Sequence, residues 1–228
     1  MSEMKNRIVL VTGGGSGIGL ALVEELKKSG ATVISCGRSI NLKENYIQCD
    51  VSKSDEVKKL RKKIIEKYGK VDILVNNAGV IEISNIVDSS EHDFDKMIGT
   101  NLKGMFLCAR EFLPDMIEEK NGMIVNVSSV AERVIFKGAG IYSASKAGMS
   151  QMTKVLREEV RAFGIDVVDV LPGAVETAMW NPENKTEREG KIMNPEDVAK
   201  VIVENIRMSI NRNIMIEEIV IRPNLGDL

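Results

Sequence analysis

Thr12-Gly13-Gly14-Gly15-Ser16-Gly17-Ile18-Gly19 is the stretch that decides the fold of this chain. It follows the β-rich run Arg7–Thr12 and opens into a helical pattern over about 17–29. Glycines between a strand and a helix let backbone amides approach a pyrophosphate at the helix N-terminus, where the dipole favours negative charge. The strict dinucleotide spacing is not met, because the glycines at 13, 17 and 19 follow Gly-x-x-x-Gly-x-Gly. A plain glycine-rich turn is the alternative for the loop taken alone; its position after the first strand is what makes it specific. No Gly-Lys-Ser/Thr closes the loop, which disfavours a phosphate-loop NTPase. Gly13, Ser16, Gly17, Ile18 and Gly19 are its candidate cofactor contacts.

The same alternation continues outward. Further strands are predicted at Thr32–Cys36, Tyr46–Cys49, Val71–Val75, Met123–Ser128, Asp166–Leu171 and Met215–Ile221. Most are continuous Val/Ile/Leu runs, as suits a parallel sheet covered on both faces. Helices are expected at about 17–29, 54–68, 91–119, 140–163 and 195–209. The pattern predicts an α/β fold: a Rossmann-type, doubly wound parallel sheet of about seven strands, in the order 3-2-1-4-5-6-7. With 228 residues and 43% apolar content the chain can bury one sizeable core, so a single domain over 1–228 is expected.

Composition excludes several classes of function. A net charge of −2 without a strong basic block argues against nucleic acid as a partner. The lysines of 54–68 read as a solvated helix face. Three scattered cysteines (Cys36, Cys49, Cys108) show no metal spacing and read as reduced, buried thiols of a cytoplasmic protein. A single histidine, His92, leaves little room for a histidine triad or zinc site, and no metal is expected. No signal peptide or membrane-spanning stretch is read. Leu102 to Ala109 is apolar nearly all round, and the next long helix carries Met149, Met152, Val155 and Leu156. A helix apolar on every side must bury two faces, which predicts a homo-oligomer, dimer or tetramer.

Two further groups carry chemistry. Tyr142 and Lys146 are four residues apart in Tyr142-Ser143-Ala144-Ser145-Lys146, so a helix stacks them on one face. A fixed cation beside a phenol favours phenolate and makes the pair a candidate acid/base centre. At the end of the second strand, where an NAD-preferring site places a carboxylate, the chain has Gly37-Arg38-Ser39. Arg38 can clamp a 2′-phosphate while Ser39 donates another hydrogen bond, so NADP(H) is favoured over NAD(H); a solvent-facing Arg in a turn is the plainer alternative.

Taken with Asp50-Val51, Asn76-Asn77-Ala78-Gly79, Asn101-Leu102-Lys103-Gly104, Asn126-Val127-Ser128-Ser129 and Pro172-Gly173, these motifs resemble the short-chain dehydrogenase/reductase family over nearly the whole chain. The resemblance implies a catalytic tetrad of Asn101, Ser129, Tyr142 and Lys146. It places Asp50 and Val51 at the adenine, Asn77, Ala78 and Gly79 along the cofactor, and Thr177 at the nicotinamide amide. Tyr142, Lys146, Pro172 and Gly173 also join the cofactor site. Ser128 competes with Ser129 for the hydroxyl role, and the thirteen-residue offset to Tyr142 selects Ser129. Asn101 has a plainer alternative, capping or kinking its helix; so has Asp50, capping the segment after it.

The implied reaction moves hydride between NADP(H) and a small carbonyl or alcohol: a ketone, aldehyde or 3-oxo acid. Tyr142 would protonate the oxygen, Ser129 would hold it, Lys146 would lower the Tyr142 pKa, and Asn101 would help hold a water. Reduction of 3-oxoacyl groups on an acyl-carrier protein is a second expectation, and a catalytically idle dinucleotide sensor a third. Two departures from the family pattern stand out. Only nine residues, 37–45, separate strands two and three, too few for the usual crossover helix. The substrate lid, about 174–194, is short and polar and holds Trp180, the only tryptophan.

Overall fold

The computed structural model describes residues 4–39, 44–177, 191–210 and 214–226. Seven parallel strands form one sheet: β1 (Ile8–Thr12), β2 (Thr32–Gly37), β3 (Tyr46–Gln48), β4 (Ile73–Asn76), β5 (Gly122–Val127), β6 (Ile165–Pro172) and β7 (Glu218–Ile221). Their order is β3-β2-β1-β4-β5-β6-β7, as the alternation of elements predicts. Successive side chains of a strand point to opposite faces, so a continuous apolar run fills two cores at once. Val9 and Val11 of β1 join one core, and Leu10 between them joins the other.

The first core is roofed by α1 (Gly17–Lys28) through Leu22 and Leu26, and by α6 (Pro195–Ser209) through Val198, Ile202 and Ile206. The second is roofed by α2 (Ser54–Tyr68), with Val57, Leu60 and Ile64, and by α4 (Gly104–Glu119), with Leu107, Phe112 and Met116. The end of α5 (Gly140–Val160) reaches the same side through Val160. All three cysteines, far apart in the chain, meet in this second core as free thiols.

Some boundaries differ from the sequence reading. The helix expected over 91–119 is a rod in three pieces: α3 (Glu91–Met97), a π-helical segment Ile98–Lys103, and α4. Strand β7 begins at Glu218, three residues later than expected, as an edge strand paired only with β6. The described residues of the β2–β3 connection, 38–39 and 44–45, contain no helix, and Asn45 turns the chain with φ 58°.

Candidate active site

Strand order reverses across β1 and β4, whose carboxyl ends open the crevice where such sheets bind ligands. The glycine turn after β1 is bolted to the loop after β4. The Thr12 hydroxyl donates to the Val75 carbonyl at 3.3 Å and accepts from the Asn77 and Ala78 amides, each at 3.0 Å. Asn77 Nδ2 donates to the carbonyls of Thr12 (3.0 Å) and Gly13 (3.3 Å). Gly13 adopts φ 66°, and a Cβ there would lie 2.9 Å from Ala78 Cα. At Gly19 a Cβ would stand 2.2 Å from the Gly13 carbonyl oxygen, so that helix turn can pass the loop only as glycine. Thr177 reaches over the same turn, its Cγ2 2.9 Å from where a Gly17 Cβ would be.

This cradle fits a dinucleotide. Ser16, at the N-cap of α1, makes no side-chain cap bond, and the first turn carries no acid. The amides of that turn thus keep their affinity for an anion. Arg38 and Ser39 are exposed at the end of β2, where Gln48 Nε2 holds the Arg38 carbonyl at 2.9 Å. Asp50 is committed locally: its Oδ1 accepts from Ser52 N at 3.0 Å and Ser52 Oγ at 2.8 Å. Val51 is buried against Gly104, where a Cβ would come within 2.8 Å of Val51 Cγ2. Pro172 ends β6, and the Gly173 amide donates to Ile221 O at 2.7 Å.

The four residues of the expected tetrad converge at this edge. Ser129 follows β5 and caps a 3₁₀ turn, its Oγ accepting from Ala131 N at 3.1 Å. Its neighbour Ser128 is turned inward to α5, donating to the Lys146 carbonyl at 3.3 Å and accepting from Ser150 Oγ at 3.0 Å. Ser129 is thus the hydroxyl beside Tyr142. Burial pushes the Tyr142 phenol above its ordinary range, and a hydrogen bond with Ser129 pulls it part of the way back. The lowering by Lys146 expected from the four-residue spacing does not appear. The Lys146 ammonium instead donates to Val127 O at 2.8 Å and sits 5.8 Å from the Tyr142 ring centroid. Lys146 is itself pushed down to about 8 by burial, against the attraction of Asp169.

Asn101 lies in the π-helical segment, a distortion often found at functional sites. Its Oδ1 accepts from Val80 N at 2.8 Å, and its Nδ2 donates to Val80 O and Ser145 Oγ, each at 2.9 Å. Both amide hydrogens are thereby spent. On this side chain one lone pair of Oδ1 is left without a bond to a described residue. Gly79 lies between, a Cβ there falling 3.5 Å from Asn101 Oδ1 and 3.6 Å from Lys146 Nζ.

Sequence reasoning passed over Thr12, Ser145 and two buried polar positions. Asn126 Nδ2 donates to Thr153 Oγ1 at 2.9 Å, and Asn126 Oδ1 accepts from Asn76 Nδ2 at the same distance. Asp169 is fully buried in β6, and neither carboxylate oxygen has a hydrogen-bond partner among the described residues. Its signal was legible as a carboxylate inside an apolar run. Of the segment expected to form the lid, Val175 bridges Met193; Trp180 lies outside the described residues.

Comparison with known proteins agrees with this geometry. Residues 7–188 match the family described as short chain dehydrogenase. An uncharacterized oxidoreductase of Staphylococcus aureus (strain MRSA252) is 32% identical over 234 residues, covering 98% of this chain and 100% of the relative. A sepiapterin reductase of Chlorobaculum tepidum is 33% identical over 241 residues, covering 97% of this chain and 98% of its own. Among solved structures, ligand-free Thermoplasma acidophilum aldohexose dehydrogenase superposes with a TM-score of 0.87 at 26% identity, over 98% of this chain and 95% of that one.

Proposed function

The chain belongs to the short-chain dehydrogenase family, and from that premise we propose that it is an NADP(H)-linked reductase of a small ketone, aldehyde or 3-oxo acid. The observation that carries the reading is the pairing of the Ser129 hydroxyl with the Tyr142 phenol beside the glycine turn, with Lys146 behind them. When bound, the nicotinamide supplies or accepts the hydride. The chain does the rest. Ser129 holds the carbonyl oxygen as charge builds on it, and Tyr142 delivers the proton to that oxygen. Burial keeps the phenol protonated, the form a donor requires, but also makes it a weaker acid, so the positive charge of Lys146 beside it is part of the proposal. Lys146, close to neutrality in its acidity, keeps a positive charge near the phenol below about pH 8. Asn101 helps to hold a water through which the proton is restored.

Arg38 supports the 2′-phosphate preference: it is exposed at the end of β2, without an ion pair to any described residue. A steady-state assay with NADPH and NADH across aldehydes, diketones, 3-oxo esters, an oxoacyl thioester, sepiapterin and aldohexoses tests the proposal. NADPH oxidation with one or more carbonyls is expected. A tenfold preference for NADH, ~1.4 kcal/mol, overturns the Arg38 argument, and tight binding without turnover on any substrate restores the idle sensor.

The oligomer reading is supported by Phe106, Met152 and Val155, which are 40%, 37% and 50% exposed on α4 and α5. Sedimentation at micromolar concentration tests it, and a monomer there refutes it. A cytoplasmic setting is supported by the free buried thiols. Among the described residues no helix is long and apolar enough to cross a membrane.

A further inference from the structure

Strand β3 is the edge of the sheet on the nucleotide side, and its first residue is a tyrosine that the motif reading did not use. Tyr46 pairs with Ser35, which makes Gly37 its diagonal neighbour on the same face. The ring leans along that diagonal toward the carboxyl ends of the strands. A Cβ at Gly37 would lie 2.4 Å from the Tyr46 hydroxyl oxygen, and one at Gly15 would lie 3.6 Å from it. The phenol thus spans the gap between the end of β2 and the glycine turn, and both positions it crosses are bare.

Three further observations bear on what it does there. Tyr46 is half-buried, yet its hydroxyl makes no hydrogen bond to a described residue, whereas nearby Tyr68 donates to Asn45 Oδ1 at 2.6 Å. Burial raises the Tyr46 phenol, so the group stays a neutral donor at physiological pH. Two residues along the same short strand, Gln48 fastens the Arg38 carbonyl at 2.9 Å. Strand β3 therefore positions the backbone of Arg38 and aims a free hydroxyl at the same corner. The described residues of the short 37–45 connection, 38–39 and 44–45, contain no helix.

We propose that the Tyr46 hydroxyl is a specificity-determining donor to the adenosine 2′-phosphate of NADP(H), a third arm beside Arg38 and Ser39. This rests on the NADP(H) reading above. A phenol donating to a phosphate makes a charge-assisted hydrogen bond, about twice as strong as one to a neutral ribose hydroxyl. Its loss is therefore felt by the phosphorylated ligand and scarcely by the other.

Calorimetric binding of adenosine 2′,5′-bisphosphate and adenosine 5′-monophosphate to the full chain and to Tyr46→Phe tests this, with Arg38→Ala as a reference and the thermal midpoint as a folding control. The expected result is about a tenfold loss of affinity for the bisphosphate, with the monophosphate changed by less than about twofold. If the wild type binds both nucleotides equally, the NADP(H) reading itself fails. If the wild type prefers the bisphosphate and Tyr46→Phe keeps the full preference, the Tyr46 inference fails alone. Equal weakening of both ligands also overturns it, because the hydroxyl then serves only packing or the adenosine at large.

Discussion

Replacing Asp169 with asparagine removes a negative charge that the fold buries at a cost. The residue lies in β6 in register with Asn126 on β5 and Glu218 on β7, and it is fully buried. Burial pushes its carboxyl from 3.8 up to about 6. Ser150 and Lys146 pull it down, while Glu132 and Glu218 push it further up. Ser150 cannot do much, because its hydroxyl is engaged with Ser128 Oγ at 3.0 Å. Glu132 and Glu218 are both ion-paired to Arg133, which also blunts their effect.

A folded-state pKa above the unfolded one means that the native chain holds the extra proton between those values. The associated stability is fully present below about pH 3.8 and is lost as pH rises through about 6. At ~1.4 kcal/mol per pH unit, the gap from 3.8 to about 6 amounts to roughly 3 kcal/mol. Asparagine escapes this, although its amide is left short of partners, at ~1 kcal/mol. Urea unfolding of both proteins from pH 4 to 8 should therefore show Asp169→Asn gaining ~1–2 kcal/mol over wild type at pH 7.5. Near pH 4 the advantage should vanish or reverse. Loss of the Asp169 charge should also drop Lys146 further below about 8, moving the alkaline limb of the pH–rate profile to lower pH. A stability difference that stays flat across the range, or that turns against asparagine as pH rises, refutes the reasoning.

Tyr142→Phe should abolish carbonyl reduction while nucleotide binding, followed by calorimetry, stays within about twofold; equal turnover would remove Tyr142 from the mechanism. Asn101→Ala strands the amide and carbonyl of Val80 together with a bond to Ser145. It should cost ~2–3 kcal/mol, lowering the thermal midpoint by ~5–10 °C, and a change under about 1 °C would show those bonds to be idle. At Gly19 an added methyl meets the Gly13 carbonyl oxygen at 2.2 Å and Asn77 Nδ2 at 2.4 Å. Gly19→Ala should therefore open the turn and weaken dinucleotide binding by more than about tenfold; unchanged affinity would mean that the turn is not the pyrophosphate site.

The doubly wound sheet was legible because the pattern that encodes it is local. Val9, Leu10 and Val11 are all apolar since neighbours along one strand fill opposite cores. A run of that kind between helical patterns has few alternatives. The neighbourhood of the proposed tetrad residues was legible for the same reason: a helical turn relates Tyr142 to Lys146, and the end of one strand presents Ser129. What spacing could not supply was the balance of charge and burial among groups distant in the chain. The four-residue gap implied a depressed phenol, yet burial dominates there, and Lys146 turns to Val127 O instead. The carboxylate opposing the desolvation of that lysine comes from Asp169, in another strand. Likewise Tyr46 meets Gly15 and Gly37 only because parallel pairing sets β3 beside β2. Periodicity along the chain thus determined which elements form and in what order they lie. The desolvation of each group, and the partners it finds, depend on contacts between strands and helices, so only the tertiary structure could decide them.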